Sequence, residues 1–178
     1  MSAAATATTT RHVVFEVSGR VLALPAAAVR RVLPLPLLDH PPATPPLLEG
    51  VLRYRGQAVP VLRLDRLLGL PPVRPGLYAP LLLAERDGRP LALLAERVFD
   101  VAAVAPGALL ETDPALSFNG CAAGAFAYGA ERATALAPDR LLNAAEGRLL
   151  AAFQAMADER LAQWRPSAPA EPAGTPAP

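Results

Sequence analysis

Few residues in this sequence could carry out nucleophilic, acid–base or metal chemistry. Its only imidazole and thiol groups belong to His12, His40 and Cys121, and the two histidines are far apart, which argues against a zinc site. Cys121 has no obvious base beside it, so we expect a structural thiol and keep a nucleophile as the alternative. No glycine-rich loop opens a helix to cradle a phosphate, and no carboxylate pair is spaced for acid–base work. The inventory favours a binding protein without catalytic residues, cofactor or metal.

Two arginines offer a different kind of chemistry. Arg53 and Arg55 lie two residues apart in the stretch 48–64, which reads as two β-strands around a tight turn. We place the turn at Gly56-Gln57, because glycine at the first central position tolerates the positive φ of a type II′ turn. Guanidinium groups bind carboxylates through paired hydrogen bonds, so this hairpin is a candidate surface for a partner that carries carboxylates.

Alternation along the two strands decides which side chains face the core. In the predicted register Leu52 faces Val61, and four residues point toward the core: Leu52, Tyr54, Val59 and Val61. The other face forms an outward or edge surface made of Arg53, Arg55, Ala58 and Pro60. Proline supports that assignment because it has no N–H to donate to a neighbouring strand. The alternative is a solvated face whose arginines bind nothing.

Composition narrows the class of protein. The chain has 178 residues, of which 52% are hydrophobic, enough for one domain with a sizeable core. All 17 basic residues are arginine, a bias that we attribute to a GC-rich genome, and the net charge of +1 gives no sign of nucleic-acid binding. A single cysteine excludes an internal disulfide and fits a reducing compartment. No targeting or membrane-spanning segment is evident, so we expect a cytoplasmic protein that neither binds nucleic acid nor inserts into a membrane.

Other elements must position the hairpin. Apolar runs between turn signals predict further strands at 12–17, 20–24, 31–35, 77–85, 90–95, 97–104, 120–128 and 131–137, with a short helical segment at 25–28. The runs between 77 and 104 are largely apolar, so we expect them to be buried on both faces. Asp65 is placed as the N-cap of a single helical turn that ends at Gly69. Two groups of short strands joined near residues 70–77, with no long crossover helix, indicate two small barrels.

One long helix is predicted at the C-terminal end, over residues 144–165. Asn143 and Glu146 match a capping box at its start. An apolar stripe at helical spacing follows, made of Leu150, Phe153, Ala157, Leu161 and Trp164. We favour docking of this stripe onto the protein's own barrels over binding to a partner. The lead 1–10 and the proline- and alanine-rich tail 166–178 are expected to be disordered.

The hairpin stretch 49–64 reads EGVLRYRGQAVPVLRL. It is similar to the signature G-V-x-N-L-R-G-x-x-V-P-V-x-D-L of the CheW family, the coupling proteins of bacterial chemosensory arrays. The resemblance runs from about residue 13 to about residue 143 and includes the opening strands at 13–24, the short helix at 27–32, the segment 91–98 and the closing segment 139–143. The amino-acid sequence of the hairpin also resembles that of Wsp-type coupling proteins, whose pathways control surface sensing and cyclic-di-GMP output.

Three positions depart from the family's pattern, all toward positive charge. Arg53 stands where the signature has asparagine, and Arg63 stands where it has aspartate. Arg30 or Arg31 takes the place of an acidic residue that often follows the valine of the short helix. We interpret Arg53 and Arg63 as this chain's own additions to the surface and expect an altered partner specificity.

The resemblance implies a mainly β fold of two intertwined five-stranded SH3-like barrels with a C-terminal α-helix. The CheW-like domain is then expected at 11–143. Its first barrel would cover roughly 25–75, and its second roughly 11–24 together with 77–143.

The resemblance also implies a non-catalytic adaptor that couples methyl-accepting chemoreceptors to a CheA-type histidine kinase. Its implied partners are the kinase's regulatory domain, the cytoplasmic tip of the receptor and other CheW-like domains in rings, at receptor arrays associated with the membrane. Arg55 is the principal candidate contact, Gly50 and Gly56 are expected to let the backbone turn, and the remaining candidates are Arg53, Tyr54, Arg63, Val29, Arg31, Glu96 and Val98. The alternatives are a divergent CheW-like or SH3-like module for another regulator, in a surface-sensing, cyclic-di-GMP or twitching pathway, and an enzyme that uses Cys121.

Overall fold

The computed structural model describes residues 8–111 and 118–163. Within those ranges the chain forms ten strands and two α-helices, joined by tight turns and by longer loops such as 35–47 and 68–79. In chain order they are β1 (Thr10–Val17), β2 (Arg20–Pro25), β3 (Val29–Pro34), β4 (Leu48–Tyr54), β5 (Gln57–Arg63), α1 (Leu64–Leu67), β6 (Pro80–Arg86), β7 (Arg89–Leu94), β8 (Arg97–Val104), β9 (Ala122–Tyr128), β10 (Glu131–Leu136) and α2 (Ala144–Gln163).

Local turn chemistry explains why the strands pair as hairpins. Three hairpins turn on two residues that both have positive φ, the second of them glycine: Ser18-Gly19, Arg55-Gly56 and Asp87-Gly88. Positive φ at both central positions defines a type I′ turn, whose twist matches that of the flanking strands. Glycine adopts this conformation without steric cost, which ties these turns to the positions of the glycines in the sequence.

The strands form two five-stranded sheets, as the sequence predicted. Sheet I has the order β8-β1-β2-β10-β9 and sheet II the order β3-β6-β7-β5-β4. The pairs β2–β10 and β5–β7 are parallel, and the other pairs are antiparallel. Sheet II curls on itself, since Asp39, just beyond β3, forms a bridge with Val51 of β4. One large apolar cluster, drawn from both sheets and both helices, lies between them.

The division of the chain between the sheets differs from the predicted one. Strands β6 and β7 were assigned to the second barrel with 77–143, but they pair with β3 and β5 in sheet II. Sheet II is therefore one continuous segment, 29–94, inserted between β2 and β8 of sheet I. The reason is the burial of β5, which is inaccessible from Ala58 to Arg63 and needs a neighbouring strand on each side.

Two further local predictions are corrected. Helix α1 begins at Leu64, so Asp65 lies inside it and makes no N-cap hydrogen bond. Strands β6 and β7 are largely buried as expected, but β8, an edge strand of sheet I, is mostly exposed. A long apolar run at 77–104 therefore does not distinguish a central strand from an edge strand.

The C-terminal helix docks onto the protein's own sheets, as we favoured from the sequence. The capping box is confirmed, because the Asn143 Oδ1 accepts the Glu146 N–H at 2.9 Å and the Glu146 carboxylate accepts the Asn143 N–H at 2.9 Å. Leu150 and Phe153 of the predicted stripe are buried in the main core. Trp164 of that stripe, the predicted helix end at 165 and the tail 166–178 lie outside the described residues, as do residues 1–7 of the lead.

Helix α2 also completes the hydrogen bonding of sheet II. Strands β5 and β7 pair only over their last residues, so the backbone of Ala58 at the start of β5 has no partner in β7. Gln154 donates to the carbonyl oxygens of Ala58 and Pro90 at 3.1 and 3.2 Å, and Asp158 accepts the Ala58 N–H at 2.8 Å. Buried backbone groups need such partners, so the helix fixes the start of β5 and with it the hairpin.

His12 is buried in sheet I and has an incomplete set of hydrogen bonds. Its ring packs 5.5 Å from that of Phe126, and its Nδ1 has no hydrogen-bond partner within the described ranges. Burial lowers the pKa of His12 below its usual 6.5, against a smaller opposing effect of a hydrogen bond to the backbone of Thr10. The folded state therefore disfavours the imidazolium form.

We predict that His12 makes the protein less stable under mildly acidic conditions. Because the pKa is lower in the folded than in the unfolded state, the unfolded state binds more protons, and the free energy of unfolding falls as the pH drops below about 6.5. Urea unfolding at a series of pH values measures this slope. His12→Phe should flatten the slope, whereas His40→Gln, at an exposed position, should leave it unchanged. An unchanged slope in His12→Phe would show that other groups cause the dependence.

Candidate partner-binding site

The turn of the signature hairpin lies one residue earlier than predicted. Arg55 and Gly56 are its two central residues, with φ of 51° and 77°, so the turn is type I′ and not type II′ at Gly56-Gln57. Leu52 consequently faces Val59 and not Val61. The register shift is two residues, which preserves the alternation of faces.

One face of the hairpin is as predicted and the other is not. Leu52, Val59 and Val61 are buried in the core of sheet II, and Tyr54 packs against that core. On the opposite face Ala58 and Pro60 are also buried, because the main core and α2 cover them, so this face is not an outward surface. Arg53 remains exposed on it, and Arg55 lies in the turn and belongs to neither face.

Three of the predicted site residues converge at one end of sheet II. Arg31 of β3 donates a long hydrogen bond of 3.4 Å to the Tyr54 hydroxyl. The guanidinium carbon of Arg55 lies 5.3 Å from the centre of the Tyr54 ring, within the range of a cation–π contact. The tyrosine thus lies between two arginines that come from elements on opposite edges of the sheet.

These residues line a groove of about 490 Å³ at the end of sheet II, which we call the arginine groove. All five strands contribute to it, and its charged and aromatic residues are Arg30, Arg31, Tyr54, Arg55 and Glu85. Arg30 is paired with Glu85 at 2.5 Å. In the described part of the chain, neither Arg31 nor Arg55 has a carboxylate partner. The groove therefore carries two unneutralised guanidinium groups.

Arg53 does not join this group. Its Nε pairs with the Asp39 carboxylate at 2.5 Å, and both side chains are about half exposed. This pair borders a separate groove of about 290 Å³ between β4 and the last turns of α2, near Arg160. The two arginines of the signature therefore serve different surfaces, because alternation sends Arg53 to the face opposite Tyr54.

Arg63, predicted to lie on the surface, is buried and only 7% exposed. It donates to both oxygens of Asp65 at 2.9 and 2.5 Å, to Glu49 at 2.8 Å and to the Val73 carbonyl oxygen at 2.6 Å. Burial opposes ionisation of Asp65, but the hydrogen bonds from Arg63 and the Val73 N–H outweigh it and lower the pKa of the carboxyl group. Arg63 is a structural residue that links β5, α1 and the following loop.

Four other predicted site residues do not line the arginine groove. Gly50 lies in β4, where an added Cβ would come within 2.9 Å of the Asp39 carbonyl oxygen, so it permits a close backbone approach and not a turn. Val29 and Val98 are partly buried against the main core. Glu96 is exposed and accepts a hydrogen bond from the Ser18 N–H at the β1–β2 turn.

An exposed apolar tip that the sequence patterns did not predict lies after the end of β3 and before the start of β6. Leu77 and Tyr78 were predicted to begin a strand, but they lie in a turn in which the Ala79 N–H donates to the Gly76 carbonyl oxygen. Each of the two residues is 80% exposed. Leu37, in the segment that follows β3, is 98% exposed. It lies two residues after Leu35, whose N–H donates to the Ala79 carbonyl oxygen. The signal available in the sequence was glycine and proline on both sides of the Leu77-Tyr78 pair.

The buried thiol of Cys121 has the features expected of a structural residue. Its Sγ donates to the Arg140 carbonyl oxygen at 3.2 Å. Burial, and to a lesser degree the charge of Glu146, raises the pKa of the Cys121 thiol. No cluster of three or more potential metal ligands, and no helix suited to crossing a bilayer, occurs among residues 8–111 and 118–163.

The described structure thus consists of two five-stranded sheets, a docked C-terminal helix and an exposed groove in which two arginines have no carboxylate partner among the described residues. The family model of the CheW-like domain matches residues 11–146, so the chain belongs to the CheW-like domain family. Among solved structures, the scaffolding protein TtCheW from Thermoanaerobacter tengcongensis superposes with a TM-score of 0.70 at 17% identity, over 80% of this chain and 94% of that one. That likeness supports the fold. A search of curated proteins found no match.

We predict that removing the carboxylate of Asp65 destabilises the fold strongly. Asp65→Ala leaves the buried Arg63 with one carboxylate partner, Glu49, and breaking a buried ion pair from one side typically costs about 3–5 kcal/mol. Urea unfolding followed by circular dichroism measures the loss. Arg53→Ala, which breaks an exposed pair, serves as the control and should cost less than about 1 kcal/mol. Equal losses in the two variants would contradict a structural role for the Arg63–Asp65 pair.

We predict that Cys121 is unreactive in the native protein. Its burial and raised pKa keep the nucleophilic thiolate scarce, so a thiol reagent at neutral pH should react at least about tenfold more slowly than with the urea-unfolded chain. The time course of thiol modification checks this. Rapid modification of the folded protein would revive the alternative of a nucleophilic cysteine.

Proposed function

We propose that this protein is a non-catalytic adaptor that couples methyl-accepting chemoreceptors to a CheA-type histidine kinase in a bacterial chemosensory array. The proposed partners are the kinase's regulatory domain, the cytoplasmic tip of the receptor and other CheW-like domains in rings. Support comes from the family match over residues 11–146 and from the chemistry exposed at the signature hairpin. The protein would act in the cytoplasm, at arrays that the receptors hold to the membrane.

The observation that carries the proposal is the conformation of Arg55. It occupies the first central position of a type I′ turn, where φ is positive and asparagine, aspartate or glycine is preferred. An arginine there works against local folding preference, which is a feature of functional positions. Its side chain is exposed and stacked on Tyr54, and arginine and tyrosine are both enriched among residues that dominate interfaces.

Calorimetric titration with the kinase regulatory domain from the same cell tests the proposal. We expect the unmodified protein to bind and Arg55→Ala to bind about thirtyfold more weakly, equivalent to about 2 kcal/mol. Alanine and arginine both carry a Cβ, so the strain of the positive φ is the same in both. Arg132→Ala, an exposed arginine on β10 of sheet I, is the matched control and should bind normally.

A second variant separates binding from folding. Arg55→Asn creates an Asn-Gly turn, which suits the type I′ geometry, so the melting temperature should hold or rise while binding is lost. A folded protein that binds neither the kinase domain nor the receptor tip would exclude the adaptor function. Normal binding by both Arg55 variants would show that the hairpin turn is not the contact.

A further inference from the structure

The arginine groove resembles the mouth of a small barrel with a charged rim. It lies where β3 and β5 begin and β4 and β6 end, so side chains from both edges of sheet II face one opening. Its apolar lining comes from Leu83, Ala84 and Pro90. Openings of this kind, apolar inside with a few placed polar groups, are typical binding sites in barrel folds.

The rim of the groove carries an excess of positive charge. Glu85 neutralises Arg30, while Arg31 and Arg55 have no carboxylate within the described part of the chain. Tyr54 holds both groups, through its hydroxyl on one side and its ring on the other. Two like charges held near one side chain repel each other, and an anion between them removes that repulsion. Because guanidinium groups form paired hydrogen bonds with carboxylates, the rim is preorganised for a carboxylate.

The surface next to the groove favours a protein as the source of that carboxylate. From Arg31 in the groove, the edge strand β3 continues for three residues, about 10 Å, toward the apolar tip formed by Leu37, Leu77 and Tyr78. Exposed apolar residues near a charged rim are typical of protein interfaces, whereas nucleic-acid sites carry extended basic surfaces that a net charge of +1 does not supply.

We infer that the arginine groove selects an acidic, amphipathic protein segment, which places a carboxylate against Arg31 or Arg55 at the rim and apolar side chains against the tip. This inference rests on the proposed function for the identity of the natural partner. It goes beyond that function by assigning the sign of charge and the polarity of the segment that docks.

The experiment uses defined probes and natural partners together. The probes are a synthetic amphipathic peptide of glutamate and leucine, its lysine counterpart and a short single-stranded oligonucleotide. Nuclear magnetic resonance of the full chain reports which residues each probe perturbs. We expect the glutamate peptide alone to shift the signals of Arg31, Tyr54 and Arg55, and its affinity to fall with added salt. Arg31→Glu should weaken that binding at least tenfold, whereas Arg132→Glu on sheet I should not.

The outcomes separate the inference from the proposed function. If the glutamate peptide binds the groove but neither the kinase domain nor the receptor tip binds the protein, the inference stands and the adaptor function fails. If those partners bind while Arg31→Glu has no effect and the glutamate peptide leaves the groove unperturbed, the adaptor function stands and the inference fails. Stronger binding by the lysine peptide or by the oligonucleotide would overturn the inference directly.

Discussion

A buried arginine, Arg63, links three successive segments in the central part of this chain. Arg63 pairs with Asp65 and Glu49, and Arg63 and Asp65 together bind the carbonyl and N–H of Val73. The end of β5, helix α1 and the loop that leads to β6 are therefore joined at one point. An unpaired buried charge is costly, so these contacts hold the loop that leads to β6 against the end of β5.

Helix α2 supplies the second constraint on the hairpin. Where β5 and β7 diverge, Gln154 and Asp158 replace the missing strand–strand hydrogen bonds at Ala58. Gln57, beside the arginine groove, is the neighbour of this anchored residue. The groove is therefore built on backbone that both the sheet and the helix hold in place, which suits a site that must present charges in a fixed geometry.

Local patterns made much of the fold predictable, and long-range contacts account for most errors. The capping box at Asn143 depends on residues three apart and was read correctly. The hairpin turn was misplaced because both candidate turns contain Gly56, and arginine at positive φ is locally disfavoured. Leu52 was nevertheless correctly predicted to face the core, since a register shift of two residues keeps the alternation of faces. The burial of Arg63 depends on Glu49 and on the backbone of Val73, contacts that no local pattern reveals.

The candidate site was only partly predictable because it forms where two edges of one sheet meet. Arg31 and Tyr54 belong to β3 and β4, which share no backbone hydrogen-bond ladder, and their contact depends on the curl of the sheet. The side chains of Arg31 and Arg55 are not part of the apolar core, whereas Arg63 holds buried structure together. Substitutions of these two exposed arginines can therefore alter the charge of the groove without removing buried contacts, whereas a substitution of Arg63 removes them.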